Sequence, residues 1–289
     1  MSRVGEVGRC AVLLFQAWFA SSSVLRTAAE PLPLEIAFDK LYRLDFSSAQ
    51  RAITTHIERH PADPLGYSVR SAAYLFYELD RLSILESEFF GSDKRIAEKR
   101  KPQADPQVRQ ELMGAIAEAR RLAEAILQKN ANDKNALFAL CIASGIQTDY
   151  LALVEKRQLG SLSYAKESHR WALKLLAIDS QFYDAYLTTG ISEYLLGSMP
   201  FFIRWIIRFD QAEGSKPAAV RNLELVSQRG RYFKPFAKVL LAIIHLREKR
   251  PLEAERLLRE LHLEFPENRL YKKELDKLVQ RRKILRGDP

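Results

Sequence analysis

The stretch from Leu162 to Leu196, LSYAKESHRWALKLLAIDSQFYDAYLTTGISEYLL, constrains the fold most. Leu162, Ala165, Ser168, Ala172, Leu175 and Leu176 recur three or four apart. Lys166, Glu167, Arg170 and Lys174 fall mostly between them, which is the period of a helix with one buried stripe. Asp179-Ser180 supplies a turn and an N-cap for a second helix. In that helix Tyr183, Tyr186, Leu187, Gly190, Ile191 and Tyr194 repeat the pattern. The small residues Ala172 and Gly190 are expected to let the two helices approach closely. A single helix pair leaves one apolar face uncovered, so it requires neighbours of the same kind.

The rest of the chain is consistent with that demand. Period-two alternation never persists, so strands are not expected. With 47% apolar and 28% charged residues the composition is globular, and the class expected is all-α. The net charge of +9 is unevenly spread. Residues 231–289 hold 16 Lys/Arg against 9 Asp/Glu, residues 1–29 carry +2, and the middle is close to neutral. The basic end, with Arg281, Arg282, Lys283 and Arg286, is read as a solvated helix end favourable to its own dipole. Contact with an anionic lipid surface is the alternative reading, and no nucleic-acid partner is expected.

Residues 1–29 have the order of a secretory signal peptide. Arg3 and Arg9 precede the uncharged run CAVLLFQAWFA (Cys10–Ala20), and Thr27-Ala28-Ala29 offers a small-residue cleavage site. An uncleaved anchor and an ordinary first helix are the other readings. Residues 30–289 then form the folded domain, exported to the periplasm or envelope. Cleavage would leave Cys141 as the single cysteine, inside the apolar run ALFALCIA, where it reads as a small buried hydrophobe.

After Pro31 and Pro33 a helix begins at Ile36, and LDFSSAQRAITTHIERHPADP follows. Here Phe46, Ala49, Ile53 and Pro61 follow Asp45 at the spacing of the second helix of a tetratricopeptide (TPR) repeat. Tyr67, Ser71 and Tyr74 fall on the aromatic and small positions of the next first helix. Ala119 and Ala123, Ser168 and Ala172, and Ala254 and Leu258 repeat the register, with closing positions at 131, 180 and 266. The chain therefore resembles a divergent, interrupted TPR protein of bacterial type. The resemblance implies a right-handed TPR-like α-solenoid of antiparallel helix pairs with irregular insertions. It also implies a concave groove lined by the first helix of each pair, where partners dock.

Carried over by position, the groove includes Phe138, Ile142, Asp184, Leu187, Ile191, Tyr194, Val239 and Ile243. This lining is mostly apolar, unlike that of TPR grooves that clamp acidic peptide tails. It suits an amphipathic helix or an apolar ligand, or it is filled by the protein itself. The segment Pro200–Phe209, PFFIRWIIRF, with Trp205 at its centre, is the plug expected from sequence. A helix lying in a membrane interface is the alternative reading. The charged stretch around Lys94–Pro106 reads as an exposed loop, with a partner-binding loop as the alternative.

Catalytic signatures are missing from the sequence: it has no Gly-rich phosphate loop, HExxH, GxSxG or CxxC. His56 and His60 have a metal-ligand spacing, but His56 falls on a packing position and no third ligand beyond Asp63 suggests itself. The expectation is a non-enzymatic, cofactor-free, metal-free scaffold or adaptor at the cell envelope that binds another protein. The alternative is a periplasmic carrier of a small hydrophobic ligand, resembling the TPR proteins associated with solute transporters.

Overall fold

The computed structural model describes residues 33–85, 102–199 and 211–286. The readings placed on residues 1–29, on most of the charged loop and on Pro200–Phe209 lie outside them. Leu32–Pro289 is one compact unit. The described elements are helical, in the order α1 (Pro33–Tyr42), α2 (Phe46–Arg59), α3 (Pro64–Arg81), α4 (Pro106–Lys129) and α5 (Lys134–Asp149). A π turn (Tyr150–Val154) and α6 (Gln158–Ile178) follow. After a 3-10 turn (Tyr183–Ala185) come α7 (Tyr186–Ser198), α8 (Lys216–Arg229), α9 (Lys234–Arg247), α10 (Pro251–Glu264) and α11 (Arg269–Arg286). There is no strand among the described residues.

The N-cap expected at Asp179-Ser180 is not one: Asp179 ends α6, its carboxylate takes the Gln181 N–H inside the turn, and α7 begins after Ala185 with no side-chain cap bond. Elsewhere several helices do start at a capping side chain. Asp45, Asp63, Asp105 and Asp133 each accept a backbone N–H from the first turn of the following helix. Pro stands in the first turn of α3, α4, α8, α9 and α10, where its missing N–H costs nothing. One turn geometry recurs. At His60, Asn130, Asp179 and Phe265 the backbone N–H reaches back four residues, at 2.8–2.9 Å. Three residues further on, Asp63, Asp133, Phe182 and Asn268 each donate to the turn residue, at 3.0–3.1 Å. The phenol of Tyr67 donates to the Pro61 carbonyl at 3.2 Å, and that of Tyr186 to the Ser180 carbonyl at the same distance. Gly230 makes the same four-residue bond at 2.8 Å, which adds a junction the sequence reading passed over.

Consecutive helices pack in pairs, and the principal partners are α1 with α2, α3 with α4, α5 with α6, α7 with α8, and α9 with α10. The junction at Asp179 thus joins α6 to α7, but each packs more extensively elsewhere. Gly190 illustrates why: a Cβ there would meet the Leu223 side chain at 3.0 Å and the Ala219 carbonyl at 3.3 Å. Its smallness serves the approach of α8 rather than of α6. Ala172 is fully buried in the cluster that also holds Leu137, Cys141 and Ile142 of α5. Lys134–Val154 is the one stretch among the described residues long and apolar enough to cross a membrane, and 67% of its apolar window is buried inside the protein.

The helix α1 joins the two ends of the chain. Its Leu34, Ala37, Phe38, Leu41 and Tyr42 are buried in one cluster with Leu65, Phe138 and Ile142, and with Tyr232, Phe265 and Tyr271 from the far end. The Tyr42 hydroxyl donates to the Tyr232 carbonyl at 2.9 Å, and the Asn268 amide donates to the Tyr42 carbonyl at 2.7 Å. Ion pairs Arg231–Glu35, Arg43–Glu267 and Arg269–Asp80 span the same seam. Exposed pairs of this kind add little energy each. The buried aromatic contacts carry the closure.

Candidate binding cleft

A cleft of about 490 Å³ opens where the N-terminal ends of α3, α5 and the 3-10 turn meet the α8–α9 junction. Its apolar lining comes from Leu65, Phe138, Phe182, Tyr183 and Tyr232. The aromatic rings form a contiguous floor. Phe138 lies 4.8 Å from Phe182 and 6.0 Å from Tyr232 between centroids, and Tyr232 lies 5.2 Å from Phe38 of α1. Such pairs add about 0.5–1.5 kcal/mol each beyond the area they bury. The floor is therefore rigid, and α1 forms its backing.

The polar lining is Asp133, Lys134, Asn135, Gln181, Asp184, Arg229 and Arg231. Asp184 is 4% exposed, and its two oxygens accept the backbone N–H groups of Arg231, Tyr232 and Phe233 at 2.8, 3.1 and 2.9 Å. It caps the α8–α9 junction from another helix. Burial pushes its carboxyl above the usual range, against the downward pull of the three amides and of Arg231. Gly230 is required here, because a Cβ would come within 2.9 Å of the Asp184 carboxylate and 2.7 Å of the Val226 carbonyl. Asp133 accepts Ala136 N–H, Asn135 donates to Asp63, and Lys134 pairs with Asp179. The Glu35 carboxylate bonds the Arg231 guanidinium and raises its pKa further. Arg229 donates to the Tyr183 hydroxyl at 3.1 Å, its Cζ 5.5 Å from that ring's centroid.

Of the groove residues expected from sequence, Phe138 and Asp184 reach this cleft. Ile142 and Val239 belong to the aromatic-rich cluster that surrounds α1. Leu187, Ile191 and Tyr194 pack in a second cluster with α8, α9 and α10. Ile243 is half-buried on α9, and Trp205 lies outside the described residues. Most of these residues are thus packed inside the protein, Ile142 and Val239 in the cluster that includes α1 and Leu187, Ile191 and Tyr194 in the cluster built with α8, α9 and α10. The sequence reading missed Phe182, Tyr183, Tyr232 and Arg229. Pro235 in the first turn of α9 was the local signal that a junction precedes it.

His56 and His60 stack with ring centroids 5.0 Å apart, and His56 Nε2 bonds Asp63 at 2.7 Å. Asp63 is already committed to Leu65 N–H and the Asn135 amide. The cluster ties α2, α3 and α5 together. Among the described residues no group of three or more His, Cys, Asp or Glu side chains is arranged to hold a metal ion. Cys141 is buried, with Thr188 and Ser168 hydroxyls at 3.2 and 3.7 Å, and burial raises its thiol pKa.

Comparison of the chain with protein-family models, with curated proteins and with solved structures gave no match.

Proposed function

We propose that this chain is a non-enzymatic adaptor built as a TPR-like solenoid, exported to the envelope, which docks another protein at the mouth of its concave groove. The repeat reading is supported by the recurrence of one junction geometry at His60, Asn130, Asp179 and Phe265. It is also supported by the matching Tyr67–Pro61 and Tyr186–Ser180 bonds, which sit at the same offset in two segments. With Gly230 included, the interval between closing positions 180 and 266 divides at 231. The last repeat then spans 35 residues, close to the 34 of a regular TPR array.

The observation that carries the functional reading is the division of the groove. Ile142 and Val239 are packed in the cluster of α1, and Leu187, Ile191 and Tyr194 in that of α8–α10, so little of the expected lining is free for a partner helix. The groove's mouth, beside the half-buried Phe182 and Tyr183 and above the buried Phe138 and Tyr232, stays accessible and is rimmed by Lys134, Arg229 and Arg231. Rigid helix ends presenting an aromatic floor and a polar rim suit docking, since aromatic and arginine side chains dominate binding hot spots.

Incorporating a photo-crosslinking residue at Lys134 and, separately, at Arg256 on the outer face of α10 tests this in the native host. The adaptor reading expects a discrete crosslinked protein from position 134 and none from 256. Background-level products from both positions would remove it.

A further inference from the structure

Beyond docking, the cleft has the chemistry of a small-molecule site. We infer that it binds a small organic oxyanion with an aromatic body, the ring lying against the half-buried Phe182 and Tyr183, which Phe138 and Tyr232 support from beneath, and the anionic group against Arg229. Three observations converge on this.

The first is the state of the charged groups. Both oxygens of Asp184 are taken up by three backbone amides. Lys134 has Asp179 and Arg231 has Glu35. Arg229 has no carboxylate partner among the described residues. It is a cation with one N–H engaged and the remaining donors of the guanidinium fork unspent.

The second is preorganisation. Arg229 is held by its bond to the Tyr183 hydroxyl and by its place over that ring. Tyr183 itself belongs to the 3-10 turn next to Asp184. A guanidinium fixed in this way loses little rotamer freedom when an anion arrives, and its planar fork suits a carboxylate or sulfonate.

The third is the floor. A volume of about 490 Å³ lies within the range of small-ligand sites, and the rings that line it are locked by mutual stacking and by α1. An aliphatic cation would find three positive side chains on the rim. A neutral apolar ligand would leave the Arg229 donors in water. An aromatic anion satisfies both surfaces.

The test uses the purified full chain and two probes of near-identical shape, naphthalene-1-acetate and the neutral 1-naphthaleneethanol, in calorimetric titrations. The acid is expected to bind about tenfold more tightly than the alcohol, the factor a charge-assisted bond supplies over a neutral one. Arg229→Gln is expected to remove that difference and leave the alcohol's affinity unchanged. Arg256→Gln, on α10, is expected to alter neither. Tyr183→Phe keeps the ring but frees the guanidinium, so a loss of two- to threefold (~0.4–0.7 kcal/mol) for the acid alone is expected. It serves as the second variant should Arg229→Gln lower the melting temperature. Failure of the wild-type chain to bind either probe, equal affinities, or a difference that survives Arg229→Gln would each overturn the inference. The protein-docking proposal is judged separately by crosslinking from Lys134, so either can fall alone.

Discussion

Replacing Phe38 with alanine removes the ring through which α1 touches the far end of the chain. Phe38 is 3% exposed, and its centroid lies 5.2 Å from Tyr232, 5.4 Å from Phe233 and 6.4 Å from Tyr42. Two of these three partners sit at the start of α9, almost 200 residues away in sequence. Truncating a buried Phe to Ala costs about 3–5 kcal/mol, from lost transfer energy plus the cavity left behind. In an open array, where each helix pair feels only its neighbours, that loss would stay in α1–α3. Here it must also appear in α9, α10 and α11. Hydrogen exchange followed by mass spectrometry reads the difference. Amides in Lys234–Arg247 and Arg269–Arg286 should exchange about a hundred- to a thousandfold faster in Phe38→Ala, each 1.4 kcal/mol being a factor of ten. Phe46→Ala serves as the local control, since Phe46 meets Tyr77 edge to face within the α2–α3 region. If Phe38→Ala accelerates exchange in α1 and α2 while α9–α11 keep wild-type protection, the reasoning about closure is refuted.

Further outcomes follow from individual sites. Asp184→Ala strands three backbone N–H groups and should cost about 3 kcal/mol or more, whereas Asp184→Asn keeps an acceptor and should cost less, both measured by urea denaturation. His245 is buried, and desolvation first, then Arg250, depress its pKa. The unfolded chain therefore takes up that proton before the folded one. Stability contributed by neutral His245 is full above about pH 6.5 and is lost as pH falls towards the folded pKa. His245→Gln should flatten the stability profile between pH 5 and 7.5. On a Cys10→Ser background, Cys141 should resist a thiol-disulfide reagent in buffer and react fully in denaturant, because it is 3% exposed with a raised pKa. Intact mass of the chain purified from its host should begin at Glu30; a mass that retains Met1 would contradict signal cleavage.

Helix boundaries with local chemistry leave a trace in the sequence. Asp45, Asp63 and Asp133 cap the helices that start beside them, although of these only the turn position of Asp45 is read from the sequence. The cap expected at Asp179-Ser180 ends a helix instead. The junction at Gly230 was not legible for the opposite reason. The residue before α9 is Phe233, whose side chain makes no cap bond, and the acceptor is Asp184 from a distant turn. Only Pro235, in the first turn of α9, marks it locally. Asp184 itself was picked out by register as a groove residue. The register placed it beside Phe138 at the cleft, but could not show that its oxygens serve the backbone. The role of α1 was hidden more deeply. Its apolar spacing shows a helix with a buried face, but which face it meets depends on contacts 190 and 226 residues away. Local periodicity carries no information about such partners. Arg229 was invisible as a site residue, since an arginine in a helix's last turn ordinarily reads as a dipole partner.

Zero-length crosslinking tests most directly whether α1 bridges the two ends of the chain. Arg231 and Glu35 face each other at 2.6 Å, so Arg231→Lys places an amine beside that carboxylate. Carbodiimide treatment of this variant at low protein concentration should yield an intramolecular peptide pair joining Glu35 to position 231. Recovery of local crosslinks alone, with Glu35 unmodified or joined only to its sequence neighbours, would contradict the seating of α1 against the α8–α9 junction.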